Sequence, residues 1–197
     1  AEGKRATMKN RIAFICMGVG AALVFAALAL LLWNQRENRQ AEHYTENVFR
    51  QVVLNIENSE SKDVRDSEMT TVVMDGNEYV GYLTIPTLEL ELPVMSEWDY
   101  DRLKLSPCRY SGTAKTNNLA IAAHNYASHF GRIHELNPND PVYFVDADNK
   151  IFRYKVVLID TISSYDVEKV AESDYALTLF TCTYSGRERV AVYCEKD

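Results

Sequence analysis

The chain has 197 residues, 28 acidic and 21 basic, and a formal net charge of −7. Because nucleic-acid binding needs a basic face, this balance argues against nucleic acid as a partner. The four cysteines are too scattered for a disulfide scaffold and show no CxxC spacing for zinc. The cysteine spacing therefore argues against zinc, and we expect no other metal and no cofactor.

The first distinctive feature is an uncharged apolar segment from Ile12 to Trp33, close to the ~20 residues that cross a bilayer as a helix. A cleavable signal peptide has an apolar region of only about 7–15 residues, so we predict a retained anchor. Unbalanced basic residues precede the segment, at Lys4, Arg5, Lys9 and Arg11. The positive-inside rule then predicts a cytoplasmic N-terminus over 1–11, a single transmembrane segment over 12–33 in the cell membrane, and an extracellular remainder.

A helical pattern follows the apolar segment. Apolar side chains recur at Val48, at Val52 or Leu54, and at Ile56, which indicates a helix from Glu42 to about Glu57. The chain then turns polar. We predict a juxtamembrane helix and linker over 34–78.

From Tyr79 onward the pattern changes to short apolar runs separated by turn residues, which predicts seven or eight β-strands. The runs are YVGYLTI, LELELPVM, NLAIAAH, PVYFVDA, KIFRYKVVLIDTI, YALTLFTC and RVAVYCE. Residues 147–150, ADNK, are predicted to form a hairpin turn. Such spacing is typical of a small β-barrel, so we predict a mainly β domain with short helices over 79–197.

Cys182 ends the apolar run ALTLFTC, at a strand end rather than inside a strand. A lone cysteine in a strand is most often a small buried hydrophobe, which suits Cys194 and leaves Cys182 as the exception. A nucleophilic thiol needs a base or a cation nearby, because the ordinary pKa of cysteine keeps most of it protonated at neutral pH.

Two other polar residues hold comparable positions. His124 ends the run LAIAAH, and could be either a satisfied rim histidine or a base. His129 and His134 follow at five-residue steps, about 140° apart on a helix, so a three-histidine metal face is excluded and both are interpreted as loop residues. Arg189 leads into the run VAVYC and could stabilise an oxyanion, although alone it reads as a surface residue.

The motif TLFTC at 178–182, the upstream His124 and the downstream Arg189 together resemble the sortase family of Gram-positive cell-surface transpeptidases. The resemblance covers Tyr79 to the end of the chain. It implies a closed eight-stranded barrel in which Cys182 forms a thioester, His124 protonates the leaving amine and Arg189 holds the carbonyl. It also implies that Thr181 and Asn125, beside these residues, bind substrate.

The same resemblance implies partners. These are surface proteins or pilins that carry a sorting motif such as LPxTG, and an amine from peptidoglycan, its precursor or a pilin. The helix at 42–57 is similar to class B, the short segment before TLFTC is closer to class D, and a pilin-type lid motif is missing before Tyr79. Two alternatives remain, a secreted cysteine peptidase and a non-catalytic adhesion domain.

The remaining extracellular thiols raise one more possibility. Outside the membrane, Cys108 and Cys194 could oxidise to a disulfide.

Overall fold

The computed structural model describes the backbone of residues 2–58, 69–171 and 173–197, with side chains from residue 14 onward. The chain divides after Arg39 into two compact units. Helix α1 (Glu2–Glu57) includes residues of both units, and its part in the first unit carries an exposed apolar surface, with Phe25 71% and Trp33 70% exposed. Within the described residues, this is the one helix long and apolar enough to cross a membrane.

The second unit, Gln40–Asp197, is built on nine strands among the described residues. They are β1 (Val72–Met74), β2 (Asn77–Ile85), β3 (Leu90–Met95), β4 (Cys108–Ser111), β5 (Leu119–Ala122), β6 (Pro141–Asp146), β7 (Ile151–Ser163), β8 (Leu177–Cys182) and β9 (Glu188–Lys196). Short helices α2 (Tyr100–Leu103) and α3 (Val167–Ala171) lie between strands, with 3-10 turns at Pro86–Leu88, Ile133–Glu135 and Ser164–Asp166.

The strands pair in the order β1-β2-β3-β4-β5-β8-β9-β7-β6, and β6 also pairs with β2. Strands β2 to β9 therefore close an eight-stranded barrel, and β1 adds to β2 outside it. The predicted closed barrel is confirmed. Strands β1 and β4 were not predicted, because β1 has only three residues and β4 (CRYS) contains no apolar run of the kind that indicated the equally short β5 (LAIA).

The C-terminal part of α1 packs on this barrel. Its buried residues recur at helical spacing, at Ala41, Thr45, Val48, Val52 and Ile56. The last three belong to one buried cluster with Tyr79, Met95 and Val145. The predicted apolar face is confirmed. Of the two alternatives, Val52 belongs to it and Leu54 does not, since Leu54 is 58% exposed. No glycine or proline interrupts residues 34–57, so α1 continues without a break where two helices were expected.

The barrel core separates two cysteines that could have paired. Cys108 lies on β4 and Cys194 on β9, and both are buried and free. Strands β5 and β8 lie between them, so three strand spacings of about 4.8 Å separate the two backbones. A disulfide needs Cα atoms within about 7 Å, so the predicted bridge is wrong. Strand order, which decides the distance, is not visible in cysteine spacing.

The turn between β6 and β7 is organised by a buried carboxylate. Asp146 Oδ1 accepts hydrogen bonds from the backbone N–H groups of Asp148 (3.1 Å) and Lys150 (2.9 Å). This confirms the predicted hairpin turn.

Candidate active site

Cys182 is the last residue of β8, and its partner directly across the antiparallel β8–β9 ladder is Arg189. Directly opposed residues have Cβ atoms about 4.5–5.5 Å apart, so the thiol and the base of the arginine side chain are neighbours. Cys182 is exposed to solvent. The pairing brings together two of the three predicted catalytic residues.

His124 follows β5, which runs parallel to β8 with Ala122 opposite Phe180. The pairing continues past the strand end, because Ala123 N–H donates to the Phe180 carbonyl at 3.2 Å. Two residues beyond Ala122, the same register brings His124 level with Cys182. Residues at the carboxyl ends of adjacent parallel strands meet at one edge, and here they are the predicted nucleophile and base.

Thr181 ties these two strand ends together. Its side chain is buried, and its Oγ1 donates to the Ala123 carbonyl at 2.8 Å. The hydroxyl proton is therefore used within the protein, and a substrate contact by Thr181 stays a prediction that rests on its backbone. Asn125 is half-buried, and among the described residues it is not one of those lining the cleft beside Cys182.

Arg189 is anchored in β9, whereas Arg187 lies in the preceding turn and is exposed. Arg189 Nη1 donates to the carbonyls of Gly186 and Glu188, both at 3.0 Å. These bonds hold the guanidinium beside the turn that follows Cys182. Arg187 contributes a backbone carbonyl, which accepts from Ser164 N–H at 3.1 Å.

A cleft of about 210 Å³ opens beside Cys182. Thr181, Cys182, Arg189 and Ala123, the residue before His124, form one side. The rest is mainly apolar and aromatic and includes Trp98, Tyr100, Leu103, Tyr110, Val167 and Phe180. Ring centroids lie 5.3 Å apart between Trp98 and Tyr110 and 5.2 Å apart between Tyr110 and Phe180. The sequence carried no signal for this aromatic wall, since its members come from segments distant in the chain.

The other described histidines differ sharply in environment. His43 and His134 are exposed, but His129, predicted as a loop residue, is fully buried. Burial, aided by the nearby charge of His124, lowers the pKa of His129 to about 4. His129 is therefore neutral at pH 7 and shielded from solvent. His124 is the histidine that the fold brings to the strand ends with Cys182.

Comparison with known proteins bears on the family and the fold. A family model described as the Sortase domain matches residues 83–197, more than half of the chain. The chain belongs to the sortase family. Among curated proteins, Sortase A of Bacillus anthracis is 27% identical over 126 residues, covering 59% of this chain and 58% of that protein. The chain thus spans less than two thirds of that sortase's length.

Solved structures of sortases share the fold. Sortase C of Streptococcus pneumoniae matches with a TM-score of 0.56 and 19% identity, covering 83% of this chain and 93% of that one. The Clostridium perfringens Sortase D5 transpeptidase matches with a TM-score of 0.55 and 18% identity, covering 82% and 94%. Sortases named for two different classes thus fit almost equally, so the fold alone does not separate classes.

Proposed function

We propose that this sortase is a membrane-anchored cysteine transpeptidase with Cys182, His124 and Arg189 as its catalytic residues. One observation carries the proposal. Cys182 and Arg189 are opposed across β8 and β9, and the neighbouring parallel strand β5 leads into His124 at the same level. This supplies a nucleophile, a proton carrier and a fixed cation at one edge of the barrel.

In the first half-reaction, the Cys182 thiolate attacks a peptide carbonyl carbon and forms the C–S bond. Negative charge moves to the carbonyl oxygen, where Arg189 N–H groups stabilise it. The intermediate collapses, the peptide C–N bond breaks, and protonated His124 gives its proton to the leaving amine. The product is a thioester on Cys182.

In the second half-reaction, an incoming amine attacks the thioester carbon and His124 accepts the amine proton. The C–S bond then breaks, which releases the Cys182 thiolate and leaves a new amide bond. The enzyme returns to its starting charge state.

The wall of the cleft favours uncharged, apolar substrate residues. Among its described lining residues, Arg189 is the one charged side chain, and the wall beyond it is aromatic and aliphatic. Such a wall can bury apolar substrate residues that precede the scissile bond. An LPxTG-like sorting motif, cleaved after its threonine, has this character.

The partners are those that membership of the sortase family implies. Donor proteins are surface proteins or pilins with a C-terminal sorting motif, and the acceptor is an amine of peptidoglycan, its lipid-linked precursor or a pilin. Sortase C of Streptococcus pneumoniae, similar in fold, has been analysed for pilin substrate specificity. The apolar part of α1 supports a single-pass anchor. A cytoplasmic N-terminus and an external barrel rest on the basic residues before the anchor and the positive-inside rule.

Product analysis tests the proposal. The full chain in detergent is mixed with a library of sorting peptides, with and without added amines of each acceptor class named above, oligoglycine among them. We expect ligated product that requires Cys182 and survives Cys16→Ala, which removes the other exposed thiol. Hydrolysis with no ligation would instead identify a cysteine peptidase, and no turnover by any peptide would support a non-catalytic domain.

A further inference from the structure

His124 is stacked on an aromatic side chain that sequence reasoning did not single out. The rings of His124 and Tyr126 are nearly parallel, with centroids 3.9 Å apart and 17° between their planes. Tyr126 is only 7% exposed, so its ring is a fixed part of the protein interior. One face of the imidazole is thus covered by a buried surface.

Tyr126 is supported in turn by His129, whose ring centroid is 5.5 Å away. His129 Nε2 lies 3.2 Å from Thr45 Oγ1 on helix α1. Thr45 has one hydroxyl proton, which it donates to the Leu105 carbonyl at 3.1 Å. Thr45 must therefore accept from His129, which fixes His129 as the neutral Nε2–H tautomer.

Backbone hydrogen bonds also hold the loop that runs from His124 to Gly131. The Tyr126 carbonyl accepts hydrogen bonds from His129 N–H at 3.0 Å and Gly131 N–H at 2.8 Å, and the His124 carbonyl accepts from Phe130 N–H at 3.3 Å. A Cβ on Gly131 would lie 2.7 Å from the Tyr126 oxygen, so glycine is needed for this close approach. Tyr126 is therefore anchored through both its backbone and its ring.

We propose that Tyr126 is a positioning residue for His124. Thr45 on helix α1 holds His129, and the His129 ring in turn holds Tyr126 in place. The inference rests on the proposed function, in which His124 must keep one orientation while it passes a proton between sulfur and nitrogen. A stacked ring restricts the imidazole to that plane. Misplacement of a catalytic group by about 1 Å can cost up to 10²-fold in rate.

The main test compares Tyr126→Leu with Tyr126→Phe in the full chain in detergent. The leucine variant removes the aromatic face, and we expect kcat for a sorting peptide to fall at least tenfold with KM unchanged. The phenylalanine variant keeps the face, and we expect near-wild-type kcat. Phe152→Leu is the matched control, because Phe152 is a buried ring on β7 outside the cleft; it should lower the unfolding temperature and leave kcat unchanged.

A second arm does not depend on peptide turnover. The rate of Cys182 alkylation by iodoacetamide is measured in the wild type, His124→Ala, Tyr126→Leu and Tyr126→Phe. We expect Tyr126→Leu to slow alkylation toward the His124→Ala rate and Tyr126→Phe to leave it unchanged. If peptides fail to turn over in the wild type, the proposed function fails while this arm still decides the inference.

Three results would overturn the inference. The first is wild-type kcat and alkylation in Tyr126→Leu, and the second is equal impairment of Tyr126→Phe, which would assign the effect to the hydroxyl. The third is equal alkylation of the wild type and His124→Ala.

The Thr45 variants test the support from helix α1. Thr45→Val removes the acceptor for His129 and should lower kcat, whereas Thr45→Ser should restore kcat. Unchanged kcat in Thr45→Val would limit the network to Tyr126.

Discussion

Arg189 has the position in the strand that an oxyanion donor needs, and Arg187 does not. We expect Arg189→Lys to lower single-turnover acylation by about 10²–10³, since lysine cannot reproduce the planar fork of donors. Arg187→Lys is the control, because Arg187 is exposed in the turn, and it should change the rate little. The opposite order of effects would move the role to the turn residue.

His129 predicts a pH dependence of stability. Its pKa is lowered to about 4 by burial and the His124 charge, so the unfolded chain, with an ordinary pKa near 6.5, binds the proton more readily. The contribution of neutral, buried His129 to the free energy of unfolding is complete above pH ~6.5 and is lost as the pH falls toward ~4. Between pH 7.5 and 5, this amounts to about 2 kcal/mol.

Urea unfolding at pH 7.5 and pH 5 measures this loss of stability, and His129→Gln is the comparison. Glutamine can still donate to Thr45 but does not titrate, so the variant should lose about 2 kcal/mol less than the wild type on acidification. Burial raises the pKa of Asp146, which acts in the opposite direction, but that contribution is common to both proteins. Equal losses would show that His129 does not titrate on unfolding.

Among individual residues, the sequence indicated those that stand at the end or the start of an apolar strand. Cys182, His124 and Arg189 each stand at the boundary between an apolar run and a polar turn, and the structure puts them at one edge. Tyr126 and His129 were missed because their roles depend on contacts with His124 and α1. A tyrosine in a loop has no local pattern that indicates stacking.

Among the elements, the C-terminal part of α1 belongs to the barrel rather than to a free stalk. Val48, Val52 and Ile56 are fully buried, and each contributes about 1.5–3 kcal/mol by burial. We expect a chain beginning at Gln40 to unfold at the same temperature as the full chain in detergent. A chain beginning at Asn58 should melt much lower or remain unfolded, and equal unfolding temperatures for the two truncations would contradict the packing.

Strands β4 and β9 provide a separate prediction about thiols. Burial raises the pKa values of Cys108 and Cys194 to about 12 each. At pH 8, we expect Cys182 to react rapidly with a thiol reagent in the native Gln40–Asp197 unit, and the other two to react only after denaturation. Three reactive thiols in the denatured, unreduced unit would support free Cys108 and Cys194, whereas one reactive thiol would indicate that they form a disulfide.

Over the whole molecule, the site depends on strand order. Strands β5, β8 and β9 are neighbours in the barrel, yet β5 ends at Ala122 and β8 begins only at Leu177. Apolar periodicity predicted most of the strands, but it contains no information on which strands pair across such a distance. Strand spacing indicated a small barrel, whereas the closed eight-stranded barrel and the candidate site were predicted because TLFTC, His124 and Arg189 match one family.

The central claim is that Cys182 forms a thioester with a sorting peptide. Intact-mass spectrometry of the full chain, after incubation with a peptide library and no amine, measures this directly. We expect an added mass equal to the acyl fragment, located on Cys182, removed by hydroxylamine and absent in Cys182→Ala, which should remain folded because the side chain is exposed. No adduct with any peptide, or an adduct that persists in Cys182→Ala, would contradict it.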